Sequence, residues 1–177
     1  SKGCAELVAA AYRQSYFSER YFDQHKVAIA TCRAGNVIGG GDWSEDRLIP
    51  DAIKAFEAKQ LLKIRNPFAI RPWQHVVEPL SGYLSLAQAL YEKGPKFNGG
   101  WNFGPNDNYA RSVKEVVELL ISEWGGDMVG WVQDGAPQPH EAHTLRLDCT
   151  KAALELGWRP KWSLEEAIKA VAEWQNC

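Results

Sequence analysis

Val27-Ala28-Ile29-Ala30-Thr31-Cys32-Arg33-Ala34-Gly35-Asn36-Val37-Ile38-Gly39-Gly40-Gly41-Asp42-Trp43 decides the fold class. Its first six residues are apolar and partly β-branched, a run that suits a buried strand of a parallel sheet better than a half-exposed one. The three consecutive glycines, 39 to 41, permit positive φ and force a loop. Upstream, Leu7, Ala10, Ala11 and Tyr12 recur at helical spacing, which predicts one long helix from about Lys2 to Phe22 with Arg13, Glu19 and Arg20 on its charged face. Helix, buried strand and glycine loop make an α/β rhythm. Ligand sites in parallel α/β sheets lie at the carboxyl ends of strands, which is where this loop must fall.

Downstream, a helix is expected over about Leu48 to Ala58, a short strand over Leu61 to Ile64, and a turn over Pro67 to Trp73. Glu78-Pro79 opens a further helix, because proline is tolerated in a first turn, and Leu80, Tyr83, Leu84, Ala87, Leu90 and Tyr91 supply its apolar stripe. Gly94-Pro95 ends it, and Gly100 to Pro105 reads as a short strand running into a turn. Ser112 with Glu115, and Ser163 with Glu166, are capping boxes that open two more helices, the first burying Val113, Val116, Val117, Leu120 and Ile121. A short helix is expected over about Thr150 to Leu156.

The 177 residues are 45% hydrophobic, enough to bury one domain-sized core, and give no reason to expect two independent domains. The net charge of −2, with both signs interspersed, lacks the basic field of a nucleic-acid binder. Cys4, Cys32, Cys149 and Cys177 lie far apart with no C-x-x-C, so no zinc site or disulfide framework is indicated, and a reducing cytoplasm fits best. No apolar run approaches the ~18 to 20 residues that cross a bilayer, so no membrane partner is expected. Ser1-Lys2-Gly3-Cys4-Ala5-Glu6-Leu7-Val8 already lies inside a helical pattern, without an initiating Met, a cap or a preceding strand, so further chain is expected upstream.

Taken alone, Lys2 reads as a solvated helical lysine. Yet Ser-Lys-Gly at the head of a long helix, then a strand ending in Arg33-x-x-Asn36-x-x-Gly39, resembles the nucleotide-sugar branch of the extended short-chain dehydrogenases/reductases. In that family a Tyr-x-x-x-Lys motif supplies the catalytic pair. Lys2 falls on its lysine, and the tyrosine would stand three residues before Ser1. Four residues on a helix bring the pair to one face, where an ammonium lowers the phenol pKa toward that of a working general base. The resemblance further implies that Lys2 hydrogen-bonds the nicotinamide ribose, that the backbone at Arg33 and Ala34 approaches the nicotinamide, and that Asn36 contacts the sugar nucleotide. Without the family, Asn36 is equally well a turn-forming asparagine.

Ile70-Arg71-Pro72-Trp73-Gln74-His75-Val76 resembles the family's Arg-Asp-aromatic-x-x-Val element, whose arginine clamps the nucleotide diphosphate through a planar guanidinium. Pro72 stands where aspartate is usual. That departure, with Arg33 to Trp43 and Gly100-Trp101-Asn102-Phe103-Gly104-Pro105, is the pattern of the CDP-D-glucose 4,6-dehydratases, and the resemblance spans nearly the whole chain. Arg47, Asn102 and His140 complete the substrate contacts carried over. His75 is read as a hydrogen-bonded structural group. His140-Glu141-Ala142-His143 invites a metal reading, but no third ligand cluster is evident, and a binding loop is preferred. Trp43, Trp73 and Trp101 could stack on base or sugar, with core packing the default.

The implied fold is the C-terminal part of a Rossmann-like α/β fold with a small, mainly helical substrate-binding domain. Residues 1–45 would carry the last helix and strand of the Rossmann domain. Residues 46–177 would be mainly sugar-nucleotide-binding, with a strand possible that returns to the Rossmann sheet. The implied reaction oxidises CDP-glucose at C4 with NAD, eliminates water across C5 and C6, and returns the hydride to C6. The dinucleotide fingerprint and the tyrosine are expected upstream, so this chain alone is expected to be inactive and not to bind NAD tightly. Homodimerisation or higher self-association is expected through the first helix or an unpaired sheet edge. Two other readings stay open: a related epimerase, reductase or dehydratase, and a non-catalytic sugar-nucleotide-binding fragment.

Overall fold

A computed structural model describes residues 2–106, 110–125, 129–135 and 142–175. In chain order these form α1 (Lys2–Tyr16), a 3-10 turn (Glu19–Tyr21), α2 (Phe22–His25), β1 (Ala30–Ala34), β2 (Asn36–Ile38), α3 (Leu48–Glu57) and β3 (Leu62–Ile64). There follow β4 (Ile70–Arg71), β5 (Trp73–His75), α4 (Val77–Lys93), a 3-10 turn (Gly94–Phe97) and β6 (Gly99–Phe103). The remainder is β7 (Arg111–Ser112), α5 (Val113–Trp124), β8 (Trp131–Gln133), α6 (Thr150–Glu155) and α7 (Leu164–Gln175). None of the described helices is long and apolar enough to cross a membrane.

The chain divides into two compact units, Ser1–Ala34 with Val77–Gly104 and Leu147–Pro160, and Gly35–Val76 with Pro105–Arg146 and Lys161–Cys177. The sequence placed a boundary near residue 45 and allowed a later strand to return to the first sheet; the chain passes between units after residues 34, 76, 104, 146 and 160. The reason is topological: β1 pairs in parallel with β6, Ala30 to Ala34 opposite Gly99 to Phe103, and parallel neighbours need a long crossover.

In the first unit, β6 alternates Trp101 and Phe103, both fully buried, with Asn102 on the other side, the period of two of a strand. Their rings join Leu86, Ala89, Phe97, Ala152 and Trp158 in one core. Gly82 is dictated by packing, since a Cβ there would collide with the Phe103 ring. Buried indole donors are satisfied: Trp101 Nε1 donates to the Phe97 carbonyl at 2.9 Å, and Trp158 Nε1 to Ser81 Oγ at 2.9 Å.

Three expectations are corrected here. The first helix stops at Tyr16, because the chain turns extended at Ser18 (φ −59°, ψ 131°), whose carbonyl takes the Tyr21 amide at 2.9 Å and lies 3.0 Å from His25 Nε2. The strand expected at Val27–Cys32 begins at Ala30, in register with the start of β6, and is half-buried rather than buried. The stripe assigned to α4 is out of phase: the helix buries Glu78, Pro79, Gly82, Leu86 and Ala89, and leaves Leu84 73% and Tyr91 93% exposed.

The second unit packs α3, α5 and α7 with β2, β3 and β5 around Ile49, Ile53, Phe56, Val116, Val117, Leu120, Ile168 and Val171. Among the described residues its strands pair in twos: β2 with β5 and β3 with β8 in parallel, β4 with β7 antiparallel. The glycine run is not uniform in cause. Only Gly41 has positive φ, at 73°, whereas a Cβ on Gly39 would stand 2.9 Å from Val76 Cγ1 and one on Gly40 would strike the Trp174 ring.

Candidate functional site

The sequence-nominated residues fall on both units, and each group is described within its own. Lys2, Arg33, Ala34 and Asn102 lie in the first. Lys2 opens α1 and is exposed. Arg33 and Asn102 are register partners on β1 and β6, and Arg33 Nε donates to Asn102 Oδ1 at 2.7 Å. The guanidinium also meets Glu6 of α1, with Nη1 3.1 Å from Oε1. Asn102 Nδ2 donates to the Asp148 carbonyl at 2.9 Å. The Arg33 and Asn102 side chains are therefore held inside the unit, and the backbone of Arg33 and Ala34 at the end of β1 is what they present. Cys32, between Thr31 and Arg33, has its thiol pushed up chiefly by burial, so thiolate chemistry is disfavoured there.

Asn36, Arg47 and Arg71 lie in the second unit. Asn36 heads β2 opposite Trp73, and its amide donates to the Pro72 carbonyl at 3.0 Å. Gly35 makes that approach possible, because a Cβ there would stand 2.5 Å from the Pro72 carbonyl oxygen and 2.7 Å from its ring. The unusual Pro72 and the glycine before Asn36 are thus one fitted contact. Arg47 precedes α3, is exposed, and lies 3.9 Å from Asp42, whose carboxyl is held low mainly by hydrogen bonds from Ser44. An exposed pair of that length fixes little.

Arg71 is only 7% exposed, and its Nη1 donates to the Ile70 carbonyl at 2.8 Å and the His143 carbonyl at 3.3 Å. A guanidinium is buried at that depth only with its donors engaged. Directly opposite on β7 stands Arg111, which sequence reasoning missed. Opposed residues of an antiparallel pair share a face, with Cβ atoms about 4.5 to 5.5 Å apart, so two guanidinium-bearing residues line one side of this ladder. Arg111 carries no motif; the signal available was its place directly before the Ser112 cap.

Beside this ladder a cleft of about 150 Å³ is lined by Asn66, Pro67, Phe68, Ala69, Gln133, Ala142 and His143. Phe68 is 61% exposed at its edge. The cleft has room for one ring system, since sites for whole drug-sized ligands run to about 300 Å³ or more. His143 supplies backbone rather than imidazole contacts to Arg71. His140 lies outside the described residues. Trp73 and Trp101 are buried in the cores, and exposed Trp43 packs on Trp174 with ring centroids 6.4 Å apart.

No family model matches the chain. It is 55% identical over 176 residues, 99% of its length, to the CDP-glucose 4,6-dehydratase of Salmonella typhimurium, covering 49% of that protein. Among solved structures it superposes with TM-score 0.74 on a dTDP-glucose 4,6-dehydratase of Streptomyces venezuelae with NAD and TYD bound, at 22% identity over 97% of this chain and 48% of that one. It matches a UDP-glucose 4-epimerase of Thermotoga maritima with UDP-glucose at TM-score 0.72 and 26% identity, covering 93% of this chain and 51% of that one. The chain spans about half the length of the curated relatives it matches. Across nearly its whole length, then, the chain is similar to half of a CDP-glucose 4,6-dehydratase, and its partial Rossmann-like α/β fold is the one shared by extended short-chain nucleotide-sugar dehydratases and epimerases.

Proposed function

We propose that this chain is the sugar-nucleotide-binding half of an NAD-dependent CDP-glucose 4,6-dehydratase. The observation that carries the reading is the 55% identity over 99% of the chain, and the buried Arg71 beside a ring-sized cleft gives it a physical site. In this reading Arg71, with Arg111 across the ladder, takes the diphosphate. The cleft from Asn66 to Ala69 takes the nucleoside end, with Phe68 offering a ring face and the amides of Asn66 and Gln133 offering donors and acceptors. Asn36 and Arg47 complete the sugar-nucleotide wall of this unit.

NAD, when bound, supplies the hydride acceptor and donor. The residues present fit only its nicotinamide end: Lys2 has an exposed ammonium that can donate to a ribose hydroxyl, and the Arg33 and Ala34 backbone lies at the carboxyl end of β1. Lys2 would also lower the pKa of a tyrosine on the preceding turn. In the same reading the first unit continues the cofactor sheet, and the exposed Leu7, Val8, Tyr12 and Tyr16 of α1 serve self-association.

Calorimetry of the purified chain with CDP-glucose, dTDP-glucose and UDP-glucose tests the reading. CDP-glucose is expected to bind at least tenfold more tightly than the others, with light scattering of the same sample reporting a dimer or larger. Equal affinity for all three would point to a general sugar-nucleotide module, and no binding at all would remove the assignment of the cleft and Arg71.

A further inference from the structure

Helix α1 buries none of its residues, yet one side chain ties it firmly to the strand beneath. Glu6 Oε2 accepts a hydrogen bond from Thr31 Oγ1 at 2.7 Å, and Glu6 Oε1 lies 3.1 Å from Arg33 Nη1. Thr31 and Arg33 are two apart on β1 and project from the same side. Arg33 is itself fixed, through Nε to Asn102 Oδ1 at 2.7 Å and onward from Asn102 Nδ2 to the Asp148 carbonyl at 2.9 Å. Gly100 leaves room for this, since a Cβ there would stand 2.7 Å from Arg33 Nη2.

Lys2 and Glu6 are one helical turn apart, so they share a face. We propose that Glu6 is a positioning residue for Lys2: gripped by Thr31 and Arg33, its carboxylate sets the rotation of α1 about its axis and so aims the Lys2 ammonium. This rests on the reading of Lys2 as the partner of a catalytic tyrosine. The physical case is one of leverage. No residue of α1 is fully buried and only Glu6, Ala9, Ala10 and Arg13 are half-buried, so the two bonds to Glu6 add a directional restraint on roll to limited packing against the strand. A roll of about 20° moves a side-chain tip about 6 Å from the axis by about 2 Å. Hydrogen bonds tolerate only a few tenths of an ångström. One carboxylate held at both oxygens by groups on a strand fixes that angle.

The test uses the full-length protein containing this segment, as wild type, Lys2→Met, Glu6→Ala, Glu6→Gln and Arg33→Lys. The readouts are the pH dependence of kcat/KM for CDP-glucose and the melting temperature. A misplaced ammonium stops lowering the tyrosine pKa, so Glu6→Ala is expected to move the acidic limb upward by about one pH unit, or about tenfold in rate below it. Lys2→Met is expected to move it at least as far. Glu6→Gln keeps an acceptor for Thr31 and is expected to move it less; it also keeps the test open if Glu6→Ala fails to fold. A profile scaled down with its limb in place, or a lowered melting temperature alone, would make Glu6 purely structural and overturn the inference. An active wild type whose limb ignores Lys2→Met would overturn it through Lys2. An inactive wild type would overturn the dehydratase reading and this inference together.

Discussion

On the proposed reading, Arg71 is both structure and site. Its burial at 7% exposure would be costly for an unengaged charge, and the carbonyls of Ile70 and His143 both accept from its Nη1. Five N–H donors in a rigid fork let one side chain bond backbone and phosphate together. Arg71→Ala is therefore expected to weaken CDP-glucose binding by roughly tenfold to a hundredfold, about 1.5 to 3 kcal/mol for a charge-assisted contact. Arg71→Lys keeps the charge without the fork and should recover only part. Calorimetry beside thermal melting separates lost contact from lost fold, and unchanged affinity in a folded variant would discard the diphosphate assignment. Arg71 could be nominated from the sequence because Arg-Pro-Trp is a contiguous signal. Arg111 was not, because its significance lies in a register with a strand some forty residues away, visible only once β4 and β7 pair. The fit of Gly35 to Pro72 was hidden for the same reason.

At the scale of elements, local chemistry was the readable part. The Ser112 box forms as its spacing requires: Ser112 Oγ accepts the Glu115 amide at 3.2 Å while Glu115 Oε2 takes the Ser112 amide at 2.8 Å and hydroxyl at 2.7 Å. Ser163 and Glu166 repeat the pattern at 3.1 and 2.7 Å. The phase of α4 was misread because large apolar residues suggested the buried side, whereas contact with β6 demands the small Gly82. Glu115 carries a pH prediction. Its carboxyl is held below the usual range, first by the Ser112 hydroxyl and then by the Ser112 amide. A depressed folded pKa contributes stability above the unfolded value of about 4.3, and that stability is lost as pH falls through the folded pKa. Ser112→Ala is expected to cost about 0.5 to 2 kcal/mol at pH 7, with the gap to wild type narrowing below about pH 4.3. Urea melts at pH 7 and pH 3 check this; an equal gap at both would show that the box carries no charge-dependent stability.

For the molecule as a whole, the sequence disclosed the class of fold through its helix, strand and glycine loop, but not its partition into two interleaved units. Composition sums apolar residues without saying how many cores they build, and the return of β6 to β1 is a long-range pairing with no local mark. Function at this scale depends on what half a length can hold. The chain spans 49% of its Salmonella relative. On the proposed reading Lys2 would be the lysine of a catalytic pair whose tyrosine is not among these residues, and the sequence holds no G-x-G-x-x-G fingerprint. General acid–base catalysis contributes about a hundredfold to ten-thousandfold, and orientation of reactants can contribute more, so an orphan lysine cannot replace either. The chain by itself is expected to show no conversion of CDP-glucose with added NAD, followed as the alkali absorbance of a 4-keto-6-deoxy sugar nucleotide. A full-length protein containing this segment is expected to turn over on the proposed reading; the same protein with the motif tyrosine changed to phenylalanine should bind NAD and stay nearly inactive. Turnover by the isolated chain matching the full-length protein would refute the division of labour, because all the catalytic groups would then have to lie among these 177 residues.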